Sequence, residues 1–576
     1  MQTPFAERII LIGPTGSGKT TVAADLGRLL GWPHLDTDAL IERRAGAAIP
    51  AIFSRDGELR FRELEAEALA EALAAPRAVI STGAGIVERP GTLEAMRAAA
   101  WVVALELPPR AALARLRAST PTETELAATR PMLAGDRPLA RLRELHARRQ
   151  SHYAQADASF STAAESSEQI AARILADLAM RGKVPSDGAA EFVRTVHTTG
   201  GSYDAVVAWG GLATLPARLS TLGLPPRLHV IADATVAALY AAPLMEHLAA
   251  ADYEPAIRTV PAGEASKSRA QWARIHDWLA ERRAERGEGV IALGGGMIGD
   301  LAGFAAATYL RGLPLVHVPT SLLAQVDASI GGKAAINHPR GKNLIGAFYP
   351  PRLVLADPAT LLTLPPRQRI EGWAEVIKHG IALDADYLAA LEAQADALLA
   401  LRPRETTEVI ARSVALKAAI VEGDEREAGA RLLLNYGHTV GHAIEQVKGY
   451  GEWLHGEAVA AGMAAEARLA RRLGHCDAAL VARQDALLVR FGLPTRLPPV
   501  HVRDLVRTAQ WDKKVRGGRV RWVLPTAPGR AVVFDDVPEA EVRVALFEAG
   551  ALAGEEHSTA RREPSAAAEL EGSPYL

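Results

Sequence analysis

In the stretch LLNYGHTVGHAIE, His438 and His442 stand four residues apart, a spacing that stacks them on one face of a helix. Pairs of this kind often present imidazoles to a transition metal. By spacing alone, either one or both of them could be a ligand. Far upstream, GPTGSGKT (Gly13–Thr20) fills every position of the P-loop pattern. A P-loop grips phosphate with backbone N–H groups at a helix N-terminus and needs no transition metal. One polypeptide is thus expected to house two separate chemistries.

Both motifs need scaffolds. Before and after the P-loop, the apolar runs RIILIG, RAVIST and WVVALEL alternate with longer helical patterns, which predicts a parallel sheet with crossover helices over residues 1–178. RGKVPSDGAAE is rich in small and polar residues and reads as a linker over 179–196. A second alternating region, 197–363, carries DAVVAWG, RLHVIAD, GVIALGGG, LPLVHVP and RLVLAD. From Leu364 to 550 the pattern is helical, and 551–576 lacks apolar periodicity, so a disordered tail is expected there. The fold class is α/β: a P-loop domain fused to a nucleotide-binding α/β domain and an all-helical domain that carries the paired histidines.

At 576 residues the chain exceeds what one core supports. A net charge of −2 offers no basic footprint for nucleic acid. No secretory signal and no bilayer-length apolar run are read, so a cytoplasmic protein without membrane or nucleic-acid partners is expected. The single cysteine, Cys476, excludes an intrachain disulfide. The 65 basic residues are 55 arginines and only 10 lysines. Arginine evidently serves as the generic surface cation, so each lysine is suspected of a task a guanidinium cannot perform. Apart from Lys183 and Lys448, all of them fall within motifs rich in acids, histidines or glycines.

In the first region, Lys19 would neutralise phosphates and the Thr20 hydroxyl would reach Mg²⁺. Downstream lie Asp36 and Asp38 in LDTDALIE, Arg62, the turn STGAGIV, Arg130 and Arg149. Arginines remote in sequence but gathered in one small domain suit a small anionic substrate such as a carboxylate. Together these motifs resemble shikimate kinase, over residues 1 to about 175. The resemblance implies ATP contacts from Gly13, Gly16, Ser17, Gly18, Lys19, Thr20, Thr21 and the lid residue Arg130, with Lys19 and Arg130 acting in catalysis. It implies Mg²⁺ near Thr20 and Asp36, and shikimate held by Asp38, Arg62, Gly83, Ala84, Gly85 and Arg149. Ala84 departs from the usual run of three glycines; if its φ must be positive, the methyl costs about 1 kcal/mol or more.

The second region places a glycine turn, Gly294–Asp300, after an apolar strand, a position suited to a pyrophosphate. Glu375 and Lys378 sit three apart on a helical pattern in GWAEVIKHG. Such lysines, acids and histidines require an anionic substrate, a metal, or both. VDASIGGK, AEVIKHG, LNYGHTVGHAIE and HGEAVA together resemble 3-dehydroquinate synthase, over residues 197 to about 550. That resemblance implies Zn²⁺, or Co²⁺ in its place, on Glu375, His438 and His455. It implies NAD⁺ contacts from Glu264, Lys267, Gly294, Gly295, Gly296, Asp300, Thr320, Ser321, Lys342 and Thr363. Substrate would meet Asp327, Lys333, Asn343, Lys378, Lys417, Arg431, Asn435 and one of Lys513 and Lys514, with Arg311 lent across a homodimer interface. Glu427 and His442 match acid–base positions.

The implied substrate is 3-deoxy-arabino-heptulosonate 7-phosphate. Transient oxidation, phosphate elimination, re-reduction, ring opening and an aldol closure lead to 3-dehydroquinate with no net redox change. The expected whole is a bifunctional enzyme of aromatic biosynthesis acting on small molecules. The rival readings are a related sugar-phosphate cyclase making another carbocycle, a polyol dehydrogenase sharing the NAD fold, and a P-loop regulator carrying a dead synthase. The dehydrogenase would lack the histidine and lysine motifs, and the regulator would not fill the motif positions with competent chemistry.

Overall fold

The computed structural model describes residues 6–120, 133, 137–427, 429–449, 451–510 and 520–553. Arg130, Lys513, Lys514 and the tail from 554 onward lie outside them.

Five short strands form the first sheet: β1 (Arg8–Ile12), β2 (His34–Asp36), β3 (Ala78–Ser81), β4 (Trp101–Glu106) and β5 (Ala158–Ser161). They are all parallel, in the order β2-β3-β1-β4-β5. β1 is flanked by β3 on one side and β4 on the other, so the chain leaving its C-terminal end enters the crevice where the winding reverses. The P-loop follows β1 into the helix Lys19–Leu30.

The second sheet contains β6 (Phe192–Thr198), β7 (Gly201–Val207), β8 (Arg227–Asp233), β9 (Glu254–Val260), β10 (Gly289–Gly294), β11 (Leu315–Pro319) and β14 (Leu353–Ala356). Their order is β6-β7-β14-β11-β10-β8-β9, with only β6 antiparallel to its neighbour. β9 extends the sheet outward from β8, whereas β10, β11 and β14 build in the other direction. The switch point therefore lies between β8 and β10. A hairpin, β12 (Lys333–His338) and β13 (Gly341–Phe348), projects between β11 and β14 in the chain.

Beyond β14 the chain is helical, with the helices Pro366–Leu383, Pro403–Gly423, His438–Lys448 and His455–Arg472 surrounding the second site. A small antiparallel pair, β15 (Trp522–Ala527) and β16 (Arg530–Phe534), interrupts this region. Trp522, Val523 and Leu524 are buried, so the segment earns its place by packing rather than by helical periodicity. Ala551 is buried and Leu552 pairs with His501, so order continues to the last described residues. Among the described residues no helix is long and apolar enough to cross a membrane.

The junction between the halves is packed. One face of the helix Ser167–Met180 puts Ile170, Ala171 and Ile174 into a core with Val22 and Leu26. Its other face puts Ala176 and Met180 against Leu212, Leu215, Tyr240 and Leu244 of the second half. Within the segment expected as a linker, Val184 is buried, the Lys183 carbonyl accepts from the Ala6 amide at 3.0 Å, and β6 has already begun at Phe192. A composition rich in small and polar residues thus conceals a few apolar residues that anchor the segment.

Candidate active sites

At the first site the P-loop glycines Gly16 and Gly18 adopt φ of +82° and +86°. At Gly13 a Cβ would lie 2.4 Å from the Leu105 carbonyl oxygen, so the loop closes against β4 only without a side chain. The Lys19 ammonium donates to the carbonyls of Gly13 and Pro14 at 3.0 and 3.1 Å, folded over the loop it is expected to serve. Thr20 Oγ1 donates to Asp36 Oδ2 at 2.8 Å, and Ser81 donates to the same oxygen at 2.7 Å. Burial pushes the Asp36 carboxyl up, but these donors and the amides of Ala39 and Asp38 hold it below the usual range. An anionic carboxylate beside a hydroxyl fits the expected Mg²⁺ position. Ser17 and Thr21 flank this point on the loop and helix.

Asp38, Arg62 and Arg149 converge on the turn Gly83–Gly85. A Cβ on Gly83 would sit 3.0 Å from Asp38 Oδ1, and one on Gly85 would sit 2.9 Å from Arg62 Nη1 and 3.2 Å from Arg149 Nη2. Burial, and next the charge of Asp36, push the Asp38 carboxyl up to about 6 against the pull of Lys19. Two carboxylates that the motif reading passed over hold the arginines: Glu65 accepts from Arg62 at 2.8 Å and Glu88 from Arg149 at 2.7 Å. Ala84 is not among the residues with positive φ, so the cost anticipated for its methyl does not arise. Its carbonyl accepts from the Tyr153 hydroxyl at 2.9 Å.

At the second site the turn Gly294–Gly296 lies at the β8/β10 switch point and opens the helix Gly296–Thr308. A Cβ on Gly294 would meet Ile298 at 2.9 Å, so the turn packs back onto its own helix only without a side chain there. Asp300, on the first turns of that helix, forms an ion pair with Lys267, and Glu264 accepts from Asn337 at 2.8 Å. Thr320 and Ser321 follow β11 at the adjacent strand end. Thr363 shares a 2.7 Å hydrogen bond with the buried Tyr240 hydroxyl.

Glu375, His438 and His455 come from three different helices, yet one ligand atom from each lies within 4.8 Å of the others. Glu375 Oε2 pairs with Lys378, while its buried Oε1 has no hydrogen-bond partner. Nε2 of His438 lies 3.4 Å from that Oε1, and Nε2 of His455 lies 3.8 Å from it. The carbonyl of Tyr436 accepts from Nδ1 of His438 at 3.1 Å, which places a proton on Nδ1, so that in the neutral ring the Nε2 lone pair faces Glu375. An orphaned carboxylate oxygen and two imidazole nitrogens facing one point fit a divalent metal with three protein ligands. The His442 ring stands 5.4 Å from that of His438, edge on.

The expected substrate groups gather around this cluster. Lys417 Nζ donates to Asp327 Oδ1 at 2.6 Å, Lys333 pairs with Glu427, and Asn435 donates to Glu427 at 2.8 Å. Burial brings the Lys417 ammonium down to about 8 although Asp327 opposes this. Arg431 is buried and packs on Gly331. Asn343 has a left-handed backbone on β13, where its amide donates to Asn337. Arg311 is apart from the cluster, exposed, on the left-handed pair Leu310–Arg311. His379 and Glu445 also border the site, and the motif reading assigned neither; each sits in a motif beside a residue that it did assign.

A phosphate-gripping sheet joined to a nucleotide-type sheet with a metal-ready histidine cluster defines a two-site enzyme. Residues 15–179 match the shikimate kinase family, 257–371 the N-terminal and 372–515 the C-terminal part of 3-dehydroquinate synthase. The 3-dehydroquinate synthase of Synechocystis sp. is 46% identical over 347 residues, which span 60% of this chain and 96% of the relative. A solved 2-epi-5-epi-valiolone synthase from Streptomyces hygroscopicus, with NAD⁺ and Zn²⁺ bound, is 31% identical, with 62% of this chain and 98% of that one covered and a TM-score of 0.57. A 2-deoxy-scyllo-inosose synthase, complexed with carbaglucose-6-phosphate, NAD⁺ and Co²⁺, is 26% identical, with 62% and 100% covered and a TM-score of 0.56. The chain belongs to the 3-dehydroquinate synthase family and carries a shikimate kinase domain ahead of it.

Proposed function

We propose that the chain phosphorylates shikimate with ATP at its first site and converts 3-deoxy-arabino-heptulosonate 7-phosphate to 3-dehydroquinate and phosphate at its second. The observation supporting the second reaction most strongly is the convergence of Glu375, His438 and His455 in a chain that is 46% identical to a 3-dehydroquinate synthase. We divide the chain into a kinase part, 1–178, a nucleotide-binding part, 197–363, and a helical part, 364–550.

At the first site the P-loop amides and Lys19 hold the triphosphate, and Thr20 and Asp36 hold Mg²⁺. Arg62 and Arg149 orient the substrate carboxylate, and Asp38 accepts from its hydroxyls. At the second, Glu375, His438 and His455 hold Zn²⁺, and the crevice from Gly294 to Asp300, with Glu264, Lys267, Thr320, Ser321, Lys342 and Thr363, holds NAD⁺. When bound, these two supply a Lewis acid and a reversible hydride acceptor. Lys333, Lys378, Lys417 and Arg431 neutralise the carboxylate and phosphate of the substrate, and Asp327, Asn343 and Asn435 fix its hydroxyls. Glu427 and His442 move protons. Arg311, exposed on its strained turn, serves the site of a second copy in a homodimer.

The related cyclases among the solved structures favour one alternative, a different carbocyclic product. A direct test uses the purified chain: ATP-dependent shikimate phosphorylation, and product identification from the heptulosonate phosphate. Absence of shikimate 3-phosphate refutes the first assignment, and a carbocycle other than 3-dehydroquinate refutes the second.

A further inference from the structure

Glu445 lies seven residues after His438 in the helix His438–Lys448, and so on the same face. It is buried, at 4% exposure, and its two oxygens serve two partners. Oε2 accepts from Nδ1 of His455 at 3.3 Å, and Oε1 accepts from Nζ of Lys342 at 2.9 Å. Nε2 of His455, on the opposite edge of the ring, is the atom facing Glu375 at 3.8 Å. Glu445 thus touches the ring edge that a metal shared with Glu375 and His438 would leave unused. Glu445 also falls into a compact group with His442 and His455, but its own contact with His455 is at the Nδ1 edge, and one ring cannot bind the same ion from both edges.

We propose that Glu445 is a positioning residue that joins the metal-binding imidazole of His455 to the cofactor-side ammonium of Lys342. By accepting the Nδ1 proton it fixes the tautomer in which Nε2 is the ligand, and its charge raises the basicity of the ring. By accepting from Lys342 it ties the β12–β13 hairpin of the nucleotide-binding half to the helix that carries His438. The metal cluster and the cofactor crevice are then held in register by one carboxylate. This rests on the metal reading above.

The test uses the full-length chain and its Glu445→Gln, Glu445→Ala and His438→Ala variants. Zinc affinity is measured by competition with a chromophoric chelator in the absence of substrate, NAD⁺ affinity by titration, and shikimate kinase activity as the check on folding. Loss of an outer carboxylate partner typically weakens metal binding about 10–100-fold, so Glu445→Ala should bind zinc more weakly by that factor and NAD⁺ more weakly as well. The near-isosteric glutamine has one acceptor oxygen and cannot serve both partners, so Glu445→Gln should weaken at least one ligand with kinase activity unchanged. His438→Ala should lose zinc altogether. Wild-type affinity for both ligands in both Glu445 variants would overturn the proposal. So would a loss of zinc as complete as in His438→Ala, since Glu445 would then be a ligand. A wild-type chain that binds no zinc would refute the metal reading itself and the proposal with it, a result distinct from the other two.

Discussion

Oε1 of Glu375 and Nε2 of His438 face each other at 3.4 Å, and Nδ1 of His438 donates to the Tyr436 carbonyl, so Nε2 of the neutral ring presents a lone pair. Two lone pairs held this close inside a protein repel unless a cation lies between them. His438→Ala should therefore lose bound zinc and dehydroquinate formation together. His442→Ala should keep zinc and lose turnover by about 10²–10⁴-fold, the range for a positioned acid–base group. Zinc content by plasma emission spectrometry beside the synthase assay checks both; equal zinc loss in the two variants would make both histidines ligands.

Lys19 donates to the carbonyls of Gly13 and Pro14 in its own P-loop and lies in the first half of the chain. Lys19→Ala should abolish shikimate phosphorylation and leave the rate of dehydroquinate formation within about twofold, a difference under 0.5 kcal/mol. Paired assays on one preparation decide it.

Separable activities do not require mechanically independent halves. Met180 is fully buried in the core it shares with Leu212 and Tyr240. Met180→Ala should cost about 2–5 kcal/mol and lower the midpoint at which both activities are lost on heating. Calorimetry should show the two halves unfolding in one coupled transition; two well-separated transitions, with only one shifted by the substitution, would show that the helix Ser167–Met180 does not join them.

Lys417 is brought down to about 8 by burial, with Asp327 opposing and Arg431 and Lys378 reinforcing the shift. It is a cation below that pH and loses its charge above it, while the substrate stays anionic. The synthase kcat/KM should accordingly fall above pH of about 8 with a slope approaching one proton. Lys417→Arg, which keeps its charge, should remove that limb even if its overall rate is lower. A pH–rate profile over the alkaline range supplies the check.

Ala84 lacks a positive φ, whereas a methyl on Gly85 would press on Arg62 and Arg149. Ala84→Gly should leave the KM for shikimate essentially unchanged. Gly85→Ala should raise it about tenfold, equivalent to roughly 1.4 kcal/mol of charge-assisted hydrogen bonding. Steady-state kinetics on the two variants separates the positions.

The sequence by itself determined whatever depends on neighbours along the chain. Gly13–Thr20 form one contiguous loop whose chemistry is local, and the apolar strands before and after it announce a parallel sheet by length and composition alone. Family motifs named Glu375, His438 and His455 as well. Only the tertiary structure decided that their ligand atoms meet, because three helices distant in sequence must pack for that to happen. It also decided between the ring edges of His455, which no spacing encodes, and exposed Glu445 as the partner of one of them. The conformation of Ala84 was a backbone angle that the GAG triplet leaves open. The segment 179–196 looked like a linker because most of its residues are small or polar, yet Val184 and Val196 bury themselves in a core built from both halves. Burial of a few apolar side chains against partners far along the chain is a cooperative property of the packed molecule, and composition read along the chain averages it away.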